Sequence, residues 1–145
     1  MTGLIGRTVY LDSNVFIYAV EGVAPYAEAL RPLFHSVLAG ITLAVTSEIT
    51  LAETLVKPFR ERDARLEAAF KDALSGPGVT VVPASRTVLV QSARLRAASR
   101  MKLPDAIHAA TAQHAGCNVL LTNDTGISTV PGLEVVQMRD VAGHG

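Results

Sequence analysis

Apolar positions along this chain switch between two periods. Short runs of β-branched and aromatic residues alternate with longer stretches whose apolar residues recur three and four positions apart. Thr8 to Leu11 is the first run and reads as a strand. Pro25 to Leu38 reads as a helix, because Leu30, Leu33, Phe34, Val37 and Leu38 follow one stripe and Gly40 can close its end. Ile41 to Val45 is a second strand. Ser47 can cap a helix running to about Val56, which Pro58 is expected to end. Asp63 to Leu74 is the next helix, stopped by Ser75-Gly-Pro-Gly78, and Val79 to Val82 is a third strand. Thr87 to about Ser99 is helical again. Pro104 stands where a first helical turn tolerates proline, and Gly116 supplies a stop. Asn118 to Thr122 is the fourth strand and Glu134 to Gln137 a fifth, short edge strand.

Strands alternating with helices predict an α/β fold: a three-layer α/β/α sandwich around a mainly parallel sheet of four to five strands. In such sheets the ligand site lies beyond the carboxyl ends of the strands. With no repeat, low-complexity tract or linker, residues 1–145 are expected to form a single domain.

Composition changes this picture little. Hydrophobic residues make up 49%, enough for one core, and the formal net charge is zero. That balance gives no global pull toward nucleic acid, so any such binding needs a local basic patch. The single cysteine, Cys117, excludes an intramolecular disulfide and reads as a buried small hydrophobe. No His-Cys cluster suggests zinc. The start of the chain lacks the apolar core of a signal peptide, and no apolar run is long enough for a bilayer. The expectation is a soluble, cytoplasmic protein with no membrane partner.

Of 13 acidic residues, four stand in unusual places. Asp12 directly follows the first strand and Asp124 follows the fourth. Asp105 sits at a helix start after Leu-Pro, and Glu53 lies one or two turns into the helix after strand two. Each has a structural explanation alone: a cap for Asp12, a favourable first-turn acid for Asp105, turn chemistry for Asp124, an exposed helix face for Glu53. Their combination is what points to chemistry. A doubly wound sheet can bring all four to one end of the molecule. Two unit charges 4 Å apart repel by roughly 4 kcal/mol at an effective dielectric of 20. Such a cluster needs protons or a hard, oxygen-ligated cation such as Mg²⁺ or Mn²⁺, which serves phosphodiester hydrolysis.

At these residues the chain resembles the PIN-domain family, and within it the VapC-type toxins of toxin–antitoxin pairs. The resemblance rests on Val-Tyr-Leu-Asp12-Ser-Asn-Val, Thr46-Ser-Glu-Ile-Thr-Leu-Ala-Glu53, Leu103-Pro-Asp105-Ala-Ile-His-Ala-Ala-Thr-Ala and Leu121-Thr-Asn-Asp124, in that order. It implies a PIN-like fold and an Mg²⁺- or Mn²⁺-dependent endoribonuclease. Asp12, Glu53, Asp105 and Asp124 would be the catalytic, metal-binding acids, with Thr122, Ser13 and Asn14 in support. It also implies a homodimer and a cognate antitoxin whose tail enters the acidic groove. One departure is Thr-Gly-Ile after Asp124, where many relatives carry a further acid and then Phe. Gly126 and Ile127 thin that motif, so one metal, or a second arriving with substrate, is expected. His108, three residues after Asp105, either contacts phosphate or lies at the edge of the core, and the second is expected.

An RNA backbone needs cations beside the acids. Arg94, Arg96, Arg100 and Lys102 lead straight into Asp105, and Lys57, Arg60, Arg62 and Arg65 form a second stretch. Either is equally well a solvated helix face. Aromatic content is 5%, so a structured RNA read by shape is expected rather than base stacking. Leu51 to Phe59 and Ala106 to Ala112 are rich enough in apolar residues to form dimer or antitoxin surfaces, or core.

Rival enzymes fit poorly. A dehalogenase-type phosphatase wants an acid where Asn14 stands, a receiver domain wants an acidic pair before Asp12, and dinucleotide binding wants a Gly-rich turn. The alternative from another class is a catalytically silent PIN-like module that binds RNA or protein.

Overall fold

In the computed structural model, which describes residues 2–142, every predicted strand is present and all five run parallel. A short 3-10 turn, Thr2–Leu4, leads into β1 (Thr8–Leu11), α1 (Ser13–Glu21) and α2 (Tyr26–Leu38). Then come β2 (Leu43–Ser47), α3 (Glu48–Glu61), α4 (Ala64–Ser75), β3 (Val79–Val82), α5 (Arg86–Ala97) and α6 (Leu103–His114). The described chain closes with β4 (Val119–Thr122), β5 (Glu134–Gln137) and α7 (Met138–Ala142). The sheet order is β3-β2-β1-β4-β5. The chain winds outward from the central β1 to one edge, then returns to start the other half beside β1. The switch in strand order therefore lies between β1 and β4, where Leu11 pairs with Leu121.

Alternation along the central strands divides the core in two. Tyr10, Val45 and Leu120 face a cluster made with α5 and α6 residues, among them Val88, Leu95, Ile107 and Ala110. Val9, Leu11, Ala44, Val119 and Leu121 face the opposite side, against Val15, Phe16, Leu30, Leu33, Leu74 and Met138. Successive side chains of a strand point to opposite faces, and a parallel sheet is covered on both. The result is the expected three-layer sandwich.

Three local features depart from the sequence reading. Pro58 does not end the third helix; it lies inside α3, buried with Thr54 and Leu55. A proline in a helix costs roughly 3 kcal/mol through its missing N–H and its clash. Packing of that buried face on α1 and α4 offsets it, and α3 continues to Glu61. It stops where Arg62 turns left-handed at φ 54°, and Asp63 then caps α4 through the Leu66 amide. β2 begins at Leu43 rather than Ile41. The Ile41 and Thr42 amides both bond to the Ser36 carbonyl, at 2.9 and 3.2 Å, and so close α2 instead of joining the sheet. Finally, Ser13–Glu21 is a full helix that the apolar pattern did not single out. It is capped by Asp12 and ended by left-handed Gly22.

Candidate active site

The carboxyl ends of β1 and β4, side by side in the sheet, build the site. Asp12 leaves β1 as the N-cap of α1 and is only 3% exposed. Its Oδ1 accepts the Val15 amide at 3.2 Å, and its Oδ2 accepts the Thr122 hydroxyl at the end of β4. Thr122 in turn accepts the Asp124 amide at 3.0 Å. Thr122 thus ties Asp12 to Asp124 across the β1–β4 switch point.

Asp124 and Asp105 meet at Gly126. Asp124 Oδ1 accepts the Gly126 amide at 2.8 Å. A Cβ on Gly126 would lie 2.9 Å from Asp105 Oδ2 and 3.0 Å from Asp124 Oδ1. The missing side chain leaves a space flanked by two carboxylate oxygens. The electrostatics agree. Burial, the hydrogen bond to Asp124 and the Asp124 charge push the Asp105 carboxyl up to about 7, while His108 and Asp12 act in opposite directions on it. Asp12 is also raised, first by burial, against the Thr122 hydroxyl, His108 and the Val15 amide. Asp124 raises it as well, so the three aspartates share one field.

Glu53 is placed differently. On α3, with its side chain 35% exposed, its Oε1 takes His108 Nε2 at 2.7 Å. His108 is 2% exposed, and its Nδ1 lies 2.6 Å from the Tyr10 hydroxyl. The histidine therefore belongs to the core, as expected, with both ring nitrogens engaged. Among the described residues, no three His, Cys, Asp or Glu side chains converge closely enough to ligate one ion between them. The donor set still fits a hard divalent cation. Mg²⁺ needs only one or two carboxylates when waters and substrate phosphate complete its shell, and the Asp105–Asp124 space offers two.

Ser13 is buried and Asn14 half-buried in the first turn of α1, and no side-chain hydrogen bond of either is found among the described residues. The basic run divides. Arg94 faces a cavity of about 610 Å³ with Gln91, Gln113 and His114, along the part of α6 beyond Asp105. Arg96 Nε donates to the Met101 carbonyl, and Arg100 and Lys102 are exposed just before α6. In the other stretch Lys57 pairs with Glu21. Ala106 to Ala112 is buried throughout and is core, not an interface; its small side chains let α6 lie close to the sheet. Cys117 is buried with its thiol pushed up to about 11 by burial, the inert thiol the sequence suggested.

Two residues at the site escaped the sequence reading. Gln137, at the end of β5, donates to the Asp124 and Ile127 carbonyls at 3.2 and 3.0 Å and clamps the Asp124–Gly126 turn. Asn123 holds Tyr18 and the Arg139 backbone. A polar residue ending an edge strand was the available signal for Gln137.

The PIN domain family model matches residues 9–133, a span that starts in β1 and includes all four acids. The chain belongs to the PIN domain family. Among solved structures, this PIN domain is similar to VapBC2 from Rickettsia felis bound to a promoter DNA fragment, at 19% identity and a TM-score of 0.69, covering 90% of this chain and 98% of that one. It is similar to a toxin–antitoxin complex from Klebsiella pneumoniae at 26% identity and a TM-score of 0.67, covering 90% and 97%. The VapC20 sarcin–ricin loop cleaving toxin of Mycobacterium tuberculosis aligns at 16% identity and a TM-score of 0.64, covering 77% and 86%. A comparison with curated proteins finds no match. No helix among the described residues is long and apolar enough to cross a membrane.

Proposed function

We propose that this PIN domain is a divalent-metal-dependent endoribonuclease and the toxin of a toxin–antitoxin pair. The observation that carries the reading is the Asp105–Asp124 space at Gly126, with Asp12 tied to it through Thr122. Bound there, Mg²⁺ or Mn²⁺ supplies Lewis acidity toward a phosphate oxygen and an activated water at neutral pH. The chain's own residues prepare that event. Asp105 and Asp124 would hold the ion, with Asp12 and Glu53 as the further carboxylates of the motif. Thr122 and the Val15 amide keep the Asp12 carboxylate in one orientation. Asp105 carries a proton near neutral pH that a cation displaces. Arg100 and Lys102, exposed ahead of Asp105, are the cations placed to meet RNA phosphates.

The described relatives support the biological role. The Rickettsia felis structure is a VapBC pair and the Klebsiella pneumoniae structure a toxin–antitoxin complex, which supports a cognate antitoxin partner. A relative described as cleaving the sarcin–ricin loop supports a folded RNA substrate. Val56 and Phe59, exposed on α3, support the expected homodimer. The silent binding module draws on one observation, that no three ligands converge among the described residues.

The test is incubation of the purified protein with pooled transfer and ribosomal RNA in Mg²⁺ or Mn²⁺, then with excess EDTA. Asp12→Asn and Glu53→Gln proteins run alongside. Discrete, EDTA-sensitive cuts that both variants lack are expected. RNA left intact by a protein that also binds no Mn²⁺ in calorimetry would overturn the nuclease reading in favour of the silent module.

A further inference from the structure

Tyr10, His108 and Glu53 form one hydrogen-bonded chain that joins β1, α6 and α3. Its direction follows from donor chemistry. A carboxylate only accepts, so His108 Nε2 must carry the hydrogen that meets Glu53 Oε1. In the neutral ring Nδ1 is then an acceptor, and the Tyr10 hydroxyl is its donor at 2.6 Å. Tyr10 is fully buried and lies edge-on to the imidazole, with ring centroids 5.7 Å apart at 65°.

Packing alone does not ask for this. Two polar ring edges sit inside an otherwise apolar cluster of Val45, Ala106, Ala109 and Leu120, where an unpartnered polar group is costly. The Tyr10 hydroxyl is satisfied by His108, with Thr46 as a further partner, and the far edge of the imidazole points out of the core to a glutamate that solvent already reaches. Each element in the chain also carries one of the acids: Asp12 two residues after Tyr10, Asp105 three before His108, and Glu53 itself. Among the described residues no hydrogen bond reaches Glu53 Oε2, so one carboxylate oxygen is held and the other is left without a partner there.

We propose that Tyr10 and His108 are positioning residues that fix the Glu53 carboxylate toward the divalent cation, with the Tyr10 hydroxyl holding the His108 ring from behind through Nδ1. This rests on the reading of Glu53 as a metal-directed acid. Groups that orient a ligating side chain from behind commonly change metal affinity by about 10–100-fold when removed.

The experiment measures Mn²⁺ binding by calorimetry for the wild type, Tyr10→Phe, His108→Gln, Glu53→Gln and the Glu53→Gln/His108→Gln double variant. The ¹⁵N spectrum of the histidine rings is recorded in parallel, with His108 assigned by its loss in His108→Gln. Expected are a loss of affinity of about tenfold or more for His108→Gln, a smaller loss for Tyr10→Phe, and no further loss when His108→Gln is added to Glu53→Gln. The wild-type ring should carry a hydrogen at Nε2, and the Nδ1 signal should shift in Tyr10→Phe, where its partner is gone. If Glu53→Gln binds Mn²⁺ like the wild type, the reading of Glu53 fails and this proposal with it. If Glu53→Gln weakens binding but Tyr10→Phe and His108→Gln do not, or if His108→Gln weakens the Glu53→Gln protein by the same factor, the positioning role alone is overturned. Should His108→Gln not fold, Tyr10→Phe and the wild-type ring spectrum decide: unchanged affinity, or a ring with no hydrogen at Nε2, rejects the chain.

Discussion

Asp105 carries a proton at pH values where an ordinary aspartate does not, and two consequences can be measured. Its carboxyl rises from 3.8 in the unfolded chain to about 7 in the native one, so between about pH 4 and 7 the native state binds the extra proton. Stability from this group is complete below pH 4 and is lost as pH rises to 7. Metal-free protein should therefore lose melting temperature over that window relative to Asp105→Asn. Mn²⁺ has to displace the same proton, so log affinity should rise by about one per pH unit up to pH 7 and then level; a pH-independent affinity would contradict the assignment. Gly126 gives a sharper prediction. Its backbone is not left-handed, so Gly126→Ala should still fold, with the Asp105 and Asp124 side chains shifted to admit the methyl. The new methyl would occupy the space between Asp105 and Asp124 and lower Mn²⁺ affinity at least tenfold. Thr122→Val removes the hydroxyl shared by Asp12 and the Asp124 amide and should cost about 1–2 kcal/mol in denaturant unfolding.

Among elements, the turn between α4 and β3 shows how the helices are held to the sheet. Gly78 has φ 80°, and a Cβ there would meet the Val37 carbonyl oxygen at 2.5 Å. Gly78→Ala should destabilise the protein by about 2 kcal/mol or more, seen as a lower denaturant midpoint at unchanged slope. Elements with a clean period or a capping residue were legible in the sequence: β1, β3 and β5 have the predicted bounds, and Ser47 caps α3 as expected. α1 was not, because Val15 to Val20 is apolar without interruption and such a run carries no period. Pro58 misled because a local rule for breaking helices yielded to burial of the α3 face. The four acids stood out from their surroundings in the sequence, Asp12 and Asp124 after strands, Asp105 at a helix start and Glu53 within a helix. The Tyr10–His108–Glu53 chain was not, since its links join residues 98 and 55 positions apart, a juxtaposition made only by the fold.

At the scale of the whole molecule, a net charge of zero limits how strongly RNA is attracted. Affinity should come from few phosphate contacts and weaken only gently with salt. Replacing Arg100 or Lys102 by glutamine should lower the slope of log affinity against log salt by about 0.7–0.9 each. An unchanged slope in both variants would move the RNA track elsewhere. The winding order explains why Asp12, Asp105 and Asp124, so far apart in sequence, come together. Reversal of the sheet beside β1 brings the ends of β1 and β4 together, and Pro104 starts α6 so that Asp105 falls at the same end.

The most direct test of the account is a manganese-soaked crystal examined by anomalous scattering. The predicted result is a peak between Asp105 Oδ2 and Asp124 Oδ1 beside Gly126, absent from crystals of Asp105→Asn. A fully loaded crystal with no anomalous density at that point, or with its manganese held by other residues, would contradict the carboxylate site on which the nuclease reading stands.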